Sequence, residues 1–232
     1  MKKLIALLLV LGCLVYAEEG KVFNGEIDNF EDGNITEAPA WWTFGDSDQT
    51  VVETDIWAKD PLYKYLGKYA LQVKGSAKSW YVGGMGTYLG VDATPFTHVK
   101  LHVYGTGPDS GKLTIQLFDD DNGNTILEQD VNNNYEPLFD DKWEYELKVN
   151  WTGWKVVQIP FTAFKDANRK DPKIKGSKDI GDGIWNPDHL NGSGGLLHFQ
   201  FIFLANTQTG SVNMAIDNVR LTNLGGGKGV AK

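Results

Sequence analysis

Cysteine is almost missing from this chain: Cys13 is the only one among 232 residues. It lies in the apolar stretch near the N-terminus, so no disulfide can staple the fold. Long apolar runs are equally scarce. After residues 4–15 none recurs, and that one is short for a bilayer span, so membrane insertion is not expected. Lys2 and Lys3, the apolar run and Val15-Tyr16-Ala17 before Glu18 instead predict a secretory signal peptide over residues 1–17. The protein is then exported, to the periplasm, the cell surface or the medium. The alternative reads Val10-Leu11-Gly12-Cys13 as a lipoprotein box with a lipid on Cys13, although Leu11 is bulky where such boxes take a small residue.

Excess positive charge is also lacking. The net charge is −8, and removing Lys2 and Lys3 with the signal takes it to −10. Such a surface repels phosphate backbones and anionic lipid, which argues against nucleic acid and membrane-surface partners. Neutral ligands remain. Helical periodicity is absent too, whereas apolar and polar residues alternate repeatedly, which predicts an all-β fold. Strands are expected at 69–74, 98–104, 113–118, 143–149, 154–160, 197–204 and 215–221, enough for a two-sheet β-sandwich. Residues 18–224 are expected to form this single domain, followed by a flexible glycine-rich tail at 225–232. The long connection 165–195 has little periodicity, and loops of that length tend to be functional or flexible.

The stretch WTGWKVVQIPFTAF (151–164) shows how alternation sorts side chains. Trp154, Val156 and Gln158 share one strand face and Lys155, Val157 and Ile159 the other. Pro160 cannot donate to a ladder, so it ends a strand or marks an edge. By the same logic His98, Lys100, His102 and Tyr104 oppose Val99, Leu101 and Val103. Thr114, Gln116 and Phe118 oppose their apolar neighbours, as do His198 and Gln200. These three strands thus present one polar face with rings at its margin; the alternative is an ordinary solvent-facing sheet surface.

The segments IDNFEDG (27–33), FTHVKLHVYGTG (96–107), WKVVQIPFTAF (154–164), HFQFIFLAN (198–206) and IDNVRL (216–221) resemble, in that order, family 11 carbohydrate-binding modules. The resemblance implies a galactose-binding-like β-jelly roll that binds a neutral polysaccharide or oligosaccharide on a sheet face. It also implies a structural Ca2+ joining the N-terminal segment to the last strand through Glu31 and Asp217, with Asp28 close enough in sequence to help. The alternative is that these acids are ordinary solvated residues at strand edges. Trp80 and Tyr81 stand where the family carries a ligand-stacking tyrosine, and Phe44 falls near another aromatic position. Where the family has a tyrosine before Ala-Asn, this chain has Leu204, so mixed-linkage glucan specificity does not carry over. The candidate binding residues are therefore Trp80, Tyr81, His102, Tyr104, Gln116 and Gln200, with Trp185 of the long loop as a replacement ring or, alternatively, a residue that packs the loop down.

Enzyme motifs fail. His98 and His102 have a zinc-like spacing only on a helix, and no H-E-x-x-H, G-x-S-x-G or phosphate loop occurs. Asp119-Asp120-Asp121 sits out of register for a calcium loop, and Asn122-Gly123 reads as a hairpin turn. Glu144 and Glu146 are the most suggestive carboxylate pair for a glycosidase, yet they alternate as a wet strand face would. The reading is a secreted, non-catalytic carbohydrate-binding protein. Two alternatives remain, a self-assembling cell-surface or filament-sheath subunit and a small jelly-roll glycosidase.

Overall fold

A computed structural model describes residues 22–133, 135–168 and 181–223. The expected signal peptide with Cys13, the glycine-rich tail and part of the 165–195 connection lie outside these residues. Fourteen strands form: β1 (Glu26–Asp28), β2 (Trp41–Gly45), β3 (Asp48–Glu53), β4 (Tyr69–Ser76), β5 (Tyr81–Val91), β6 (His98–Thr106), β7 (Gly111–Asp119), β8 (Gln129–Asp130), β9 (Glu136–Pro137), β10 (Asp141–Val149), β11 (Thr152–Pro160), β12 (Lys165–Asp166), β13 (Leu196–Leu204) and β14 (Ser211–Thr222).

Twelve of them make two antiparallel sheets, and β8 pairs with β9 apart from both. The first has the order β11-β6-β14-β4-β3, with β1 also on β14, and the second runs β12-β10-β7-β13-β5-β2. Every strand expected from alternation forms, because each has one apolar side to bury. Phe199, Phe201 and Phe203 of β13 and Leu113, Ile115 and Leu117 of β7 point inward from the second sheet. They meet Val99, Leu101 and Val103 of β6, Leu71 and Val73 of β4 and Ile216 of β14 from the first, all fully buried. Trp41 closes this core by stacking on Phe201, centroids 5.7 Å apart.

The first and last described strands meet in the first sheet. β1 pairs with β14, Glu26 opposite Arg220 and Asp28 opposite Val219. The β14 ladder to β6 is broken by a bulge between Asp217 and Arg220, where Asn218 takes a left-handed φ of 51° that asparagine tolerates better than most residues. Pro160 ends β11, the edge strand of this sheet, as a residue without an N–H should.

Part of the outer face of the first sheet is covered by its own chain. After β3, two 3-10 turns (Thr54–Trp57 and Tyr63–Tyr65) fold back across it. Trp57 packs edge-on against Trp154 at 5.1 Å and beside Tyr104 at 5.3 Å, above Ala70 and Ala215. Asp60 fastens the turn by accepting the backbone N–H of Trp154 at 2.8 Å. Trp154 is thus a second, smaller core. Asn122-Gly123 does not make a two-residue hairpin, because β7 pairs with β10 across a longer connection. Asp120 organises that connection by accepting the N–H groups of Gly123 and Thr125.

Removing the Trp57 indole leaves a cavity on a face remote from the second sheet. Trp57→Ala should lower the unfolding free energy by about 3–5 kcal/mol in a urea titration, with no effect on any ligand held by the second sheet.

Candidate functional site

The outer face of the second sheet is the open one. Strand register sets side chains in rows across it. In the middle row Glu144 stands opposite Gln116, Gln116 opposite Gln200, Gln200 opposite Gly86, and Gly86 opposite Trp42. Four strand spacings make this row about 20 Å long. On one side lie Lys142, Phe118, His198 and Tyr88, and on the other Glu146, Thr114, Ile202, Gly84 and Phe44. Tyr81 stands opposite Leu204 in the next row.

Glycine makes the aromatic end of this face possible. A Cβ on Gly86 would lie 2.5 Å from the Trp42 indole and 2.7 Å from Gln200 Cγ, and one on Gly84 would lie 2.5 Å from the Phe44 ring. The rings of the edge strand β2 therefore lie over bare backbone of β5. Trp42, Tyr81 and Tyr88 stay 38–45% exposed, and Trp80 51%. The floor between them is more sheltered: Gln200 and Thr114 are 7% exposed. Gln116 Nε2 donates to Glu144 Oε1 at 2.5 Å, and Lys112 pairs with Glu146 at 3.0 Å. The Gln200 amide has no hydrogen-bond partner among the described residues. The face thus offers ring faces at its edge and amide and carboxylate groups on its floor, a set that suits a polyhydroxylated ligand.

His198 sits among Trp42, Tyr88 and Phe118, ring centroids 5.1, 5.8 and 6.2 Å away. Burial pushes its pKa down to about 4, so the imidazole is neutral at ordinary pH.

The expected continuous face of three strands does not form. β6 belongs to the first sheet while β7 and β13 belong to the second, so the His102 row and the Gln116–Gln200 row lie on opposite sides of the sandwich. Tyr104 is roofed by Trp57, and His102, 8% exposed, is pressed beside Asp217 and Asn218. Trp185 packs on Phe161 at 4.9 Å and on Trp143 at 6.0 Å against the core, holding its loop down rather than offering a ring. Gln116, Gln200, Trp80 and Tyr81 do belong to the second sheet or its edge. Trp42 and Tyr88 also stand on this face without having been singled out from the sequence, and Glu144, considered there only as a possible catalytic acid, lies on its floor. Their signal is the alternation of WWTFG set against the alternating glycines of VGGMG.

Asp28, Glu31 and Asp217 converge where the chain ends meet. Asp28 accepts the Phe30 N–H and Trp41 Nε1, both at 2.7 Å. Glu31 accepts the N–H groups of Lys68 and Tyr69 at 2.9 and 3.0 Å, and Asp217 accepts the backbone and side-chain amides of Asn218. Burial first, and then neighbouring acids, raises Asp28 to about 6 and Asp217 to about 7. No ion pair among the described residues reaches them. Each oxygen uses only part of its acceptor capacity, and an all-oxygen set is the kind a hard cation takes, but these three acids do not bring their oxygens within 4.8 Å of one another as a cation-sized group does. Four more acids, three of them buried and Asp121 partly so, gather where β7 ends and β10 begins, and burial raises them likewise: Asp119 to about 8, Asp121 and Asp140 to about 7, Asp141 to about 6.

By sequence, no family model and no curated protein matches the chain. Solved structures do. The chain is similar to a family 11 carbohydrate-binding module from Clostridium thermocellum in complex with a β-1,3-1,4-mixed-linked tetrasaccharide, with 16% identity over 86% of this chain and 95% of that one and a TM-score of 0.48. It is also similar to the family 11 module of the cellulosomal cellulase Lic26A-Cel5E of the same organism, with 16% identity, 88% and 96% coverage and a TM-score of 0.49. A third similar structure is TmCBM61 in complex with β-1,4-galactotriose, with 14% identity, 87% and 99% coverage and a TM-score of 0.42.

The His198 environment has a pH signature. A folded pKa of about 4, below the usual 6.5, means that the unfolded chain binds the proton first as pH falls. Stability conferred by the neutral ring is therefore present above pH 6.5 and lost progressively down to pH 4, on the order of 3 kcal/mol. His198→Phe, which can fill the same aromatic box, should flatten that part of the stability profile measured by denaturant titration.

Proposed function

We propose that the protein is an exported, non-catalytic carbohydrate-binding protein that holds a neutral polysaccharide or oligosaccharide on the outer face of its second sheet. The observation that carries this reading is the pairing of rings set close over glycine backbone, Trp42 over Gly86 and Phe44 over Gly84, with an amide and carboxylate floor at Gln200, Gln116 and Glu144. Sugar rings stack their apolar faces on aromatics, and their hydroxyls pair with fixed donors and acceptors. The negative net charge disfavours anionic ligands. Export rests on the signal-like sequence of residues 1–17; among the described residues no helix is long and apolar enough to cross a membrane.

The acids that a glycosidase would need on this face are already engaged. Glu144 and Glu146 are neighbours on one strand, where two residues span about 7 Å. Glu144 is bound by Gln116 and faces Lys142, and Glu146 is bound by Lys112. Neither stands across the face from the other, as a pair flanking a glycosidic bond must. A second reading, a self-assembling surface subunit, draws on the exposed side chains of Ile126, Val131, Tyr135, Leu138 and Phe139 in one stretch of chain.

A calcium ion at Asp28, Glu31 and Asp217 belongs to the same proposal, as a clip between the chain ends that limits unfolded-state freedom.

Affinity electrophoresis against soluble glucans, xylans, galactans and mannans should retard the parent chain on at least one polymer. Trp42→Ala and Gly86→Val should abolish the retardation, whereas Tyr104→Ala, on the covered face, should keep it. Indifference to every polymer together with large species in size-exclusion chromatography would favour the subunit reading, and release of reducing ends would favour an enzyme. Chelator should lower the melting temperature by roughly 5–10 °C relative to calcium at about a hundredfold excess over its Kd, and by less in Glu31→Gln.

A further inference from the structure

We propose that Asp119, Asp121 and Asp141 form a second cation site, separate from the clip at the chain ends, that binds a hard divalent cation of the calcium type. Asp119 is the last residue of β7 and stands directly opposite Asp141, the first residue of β10. One carboxylate oxygen from each of Asp119, Asp121 and Asp141 lies within 4.8 Å of the other two. Asp119 and Asp141 are completely buried. Asp141 Oδ1 and both oxygens of Asp121 are sealed from solvent and make no full hydrogen bond among the described residues, only weaker approaches by the N–H of Ile184 to Asp141 and of Asp141 to Asp121. They also face the same space: the point where a Cβ on Gly181 would stand is 1.8 Å from Asp141 Oδ1 and 2.9 Å from Asp121 Oδ2.

Bare buried carboxylates cost several kcal/mol each unless something positive meets them. The nearest candidate in sequence, Lys142, is committed to Glu136 and Glu144. A shared proton can relieve one pair of acids, but it leaves a third unrelieved. The donors are all carboxylate oxygens, with no thiolate or imidazole, which selects a hard ion over zinc or copper. The remaining oxygens are oriented as metal ligands usually are, by donors behind them: Trp143 Nε1 and the Asn186 N–H on Asp119, and the Gly183 N–H on Asp141. A pocket of about 210 Å³ lined by Asp121, Asn122, Asn186 and Asp188 opens beside the cluster and provides an entry path and room for water ligands.

Calcium titrated calorimetrically into chelator-stripped, full-length protein tests this. Asp121→Asn and Asp141→Asn should each bind one equivalent fewer than the parent, while Glu31→Gln should retain the equivalent held here. Terbium in place of calcium should show tryptophan-sensitised emission that falls in Trp143→Phe, because that indole donates to Asp119. Undiminished calcium stoichiometry in both Asp variants would overturn the site. If Asp141→Asn does not fold, Asp121→Asn, whose side chain is only partly buried, decides alone. Sugar retardation is an independent readout, so a failure of carbohydrate binding leaves this test unaffected.

Discussion

Everything in this fold follows from one constraint: each long strand must bury one of its two sides against the other sheet. Phe199, Phe201 and Phe203 occupy the inward positions of β13, and this alone forces His198, Gln200 and Ile202 outward. The same rule turns Gln116 and Thr114 outward on β7 and His102 and Tyr104 outward on β6. The two outer faces then have different fates because of what they carry. The first sheet exposes Ala70, Ala215, Trp154 and Tyr104, an apolar patch that is unstable in water, and Trp57 comes down to cover it. The second sheet carries amides and acids, which remain comfortable when wet. An open face is the consequence of that polar composition.

Alternation located seven strands in the sequence and sorted the two sides of five of them, together with the end of β11 at Pro160. It could not say which sheet a strand joins. β6 and β7 are consecutive and patterned alike, yet they lie in opposite sheets, so the polar side chains of His102 and Gln116 never meet. Sheet membership depends on pairings such as Asp217 with His102 and Gln200 with Gln116, which join residues more than eighty positions apart. The glycine-rich strand β5 was obscure for a different reason. Its outward Gly84 and Gly86 carry no side chain to alternate, and their meaning appears only when Phe44 and Trp42 of β2 lie across them. Trp185 could be read either way from sequence, and its contacts with Phe161 and Trp143 decide for packing.

Charge distribution explains how a chain with a single cysteine can fasten distant segments. Asp28 and Glu31 are separated from Asp217 by almost the whole domain, and Asp119 and Asp121 from Gly183 and Asn186 by strands β8 to β12 and the connection that follows them. Closing long loops costs configurational entropy that rises only slowly with their length, so a few fixed points near the chain ends and the largest connection constrain the unfolded state most. Both acid groups stand at such points. Their mutual repulsion and burial make them poor structural elements by themselves, and the proposed cations would turn each into a cross-link.

The second acid group also bears on the open face. Asp119 directly follows Phe118, and Asp141 directly precedes Lys142; these neighbours lie in the row that includes His198 and Tyr88. A one-residue slip of β7 against β10 would turn Phe118 and Gln116 into the core and break the floor of the face. The apolar inward side of β10, Trp143, Tyr145 and Leu147, resists such a slip along the strand, but the strand end has no comparable apolar anchor. A cation gripping Asp119 and Asp141 would pin the register at that end, where strand pairs fray first. The geometry of a ring-and-amide surface would then depend on an ion that never touches its ligand.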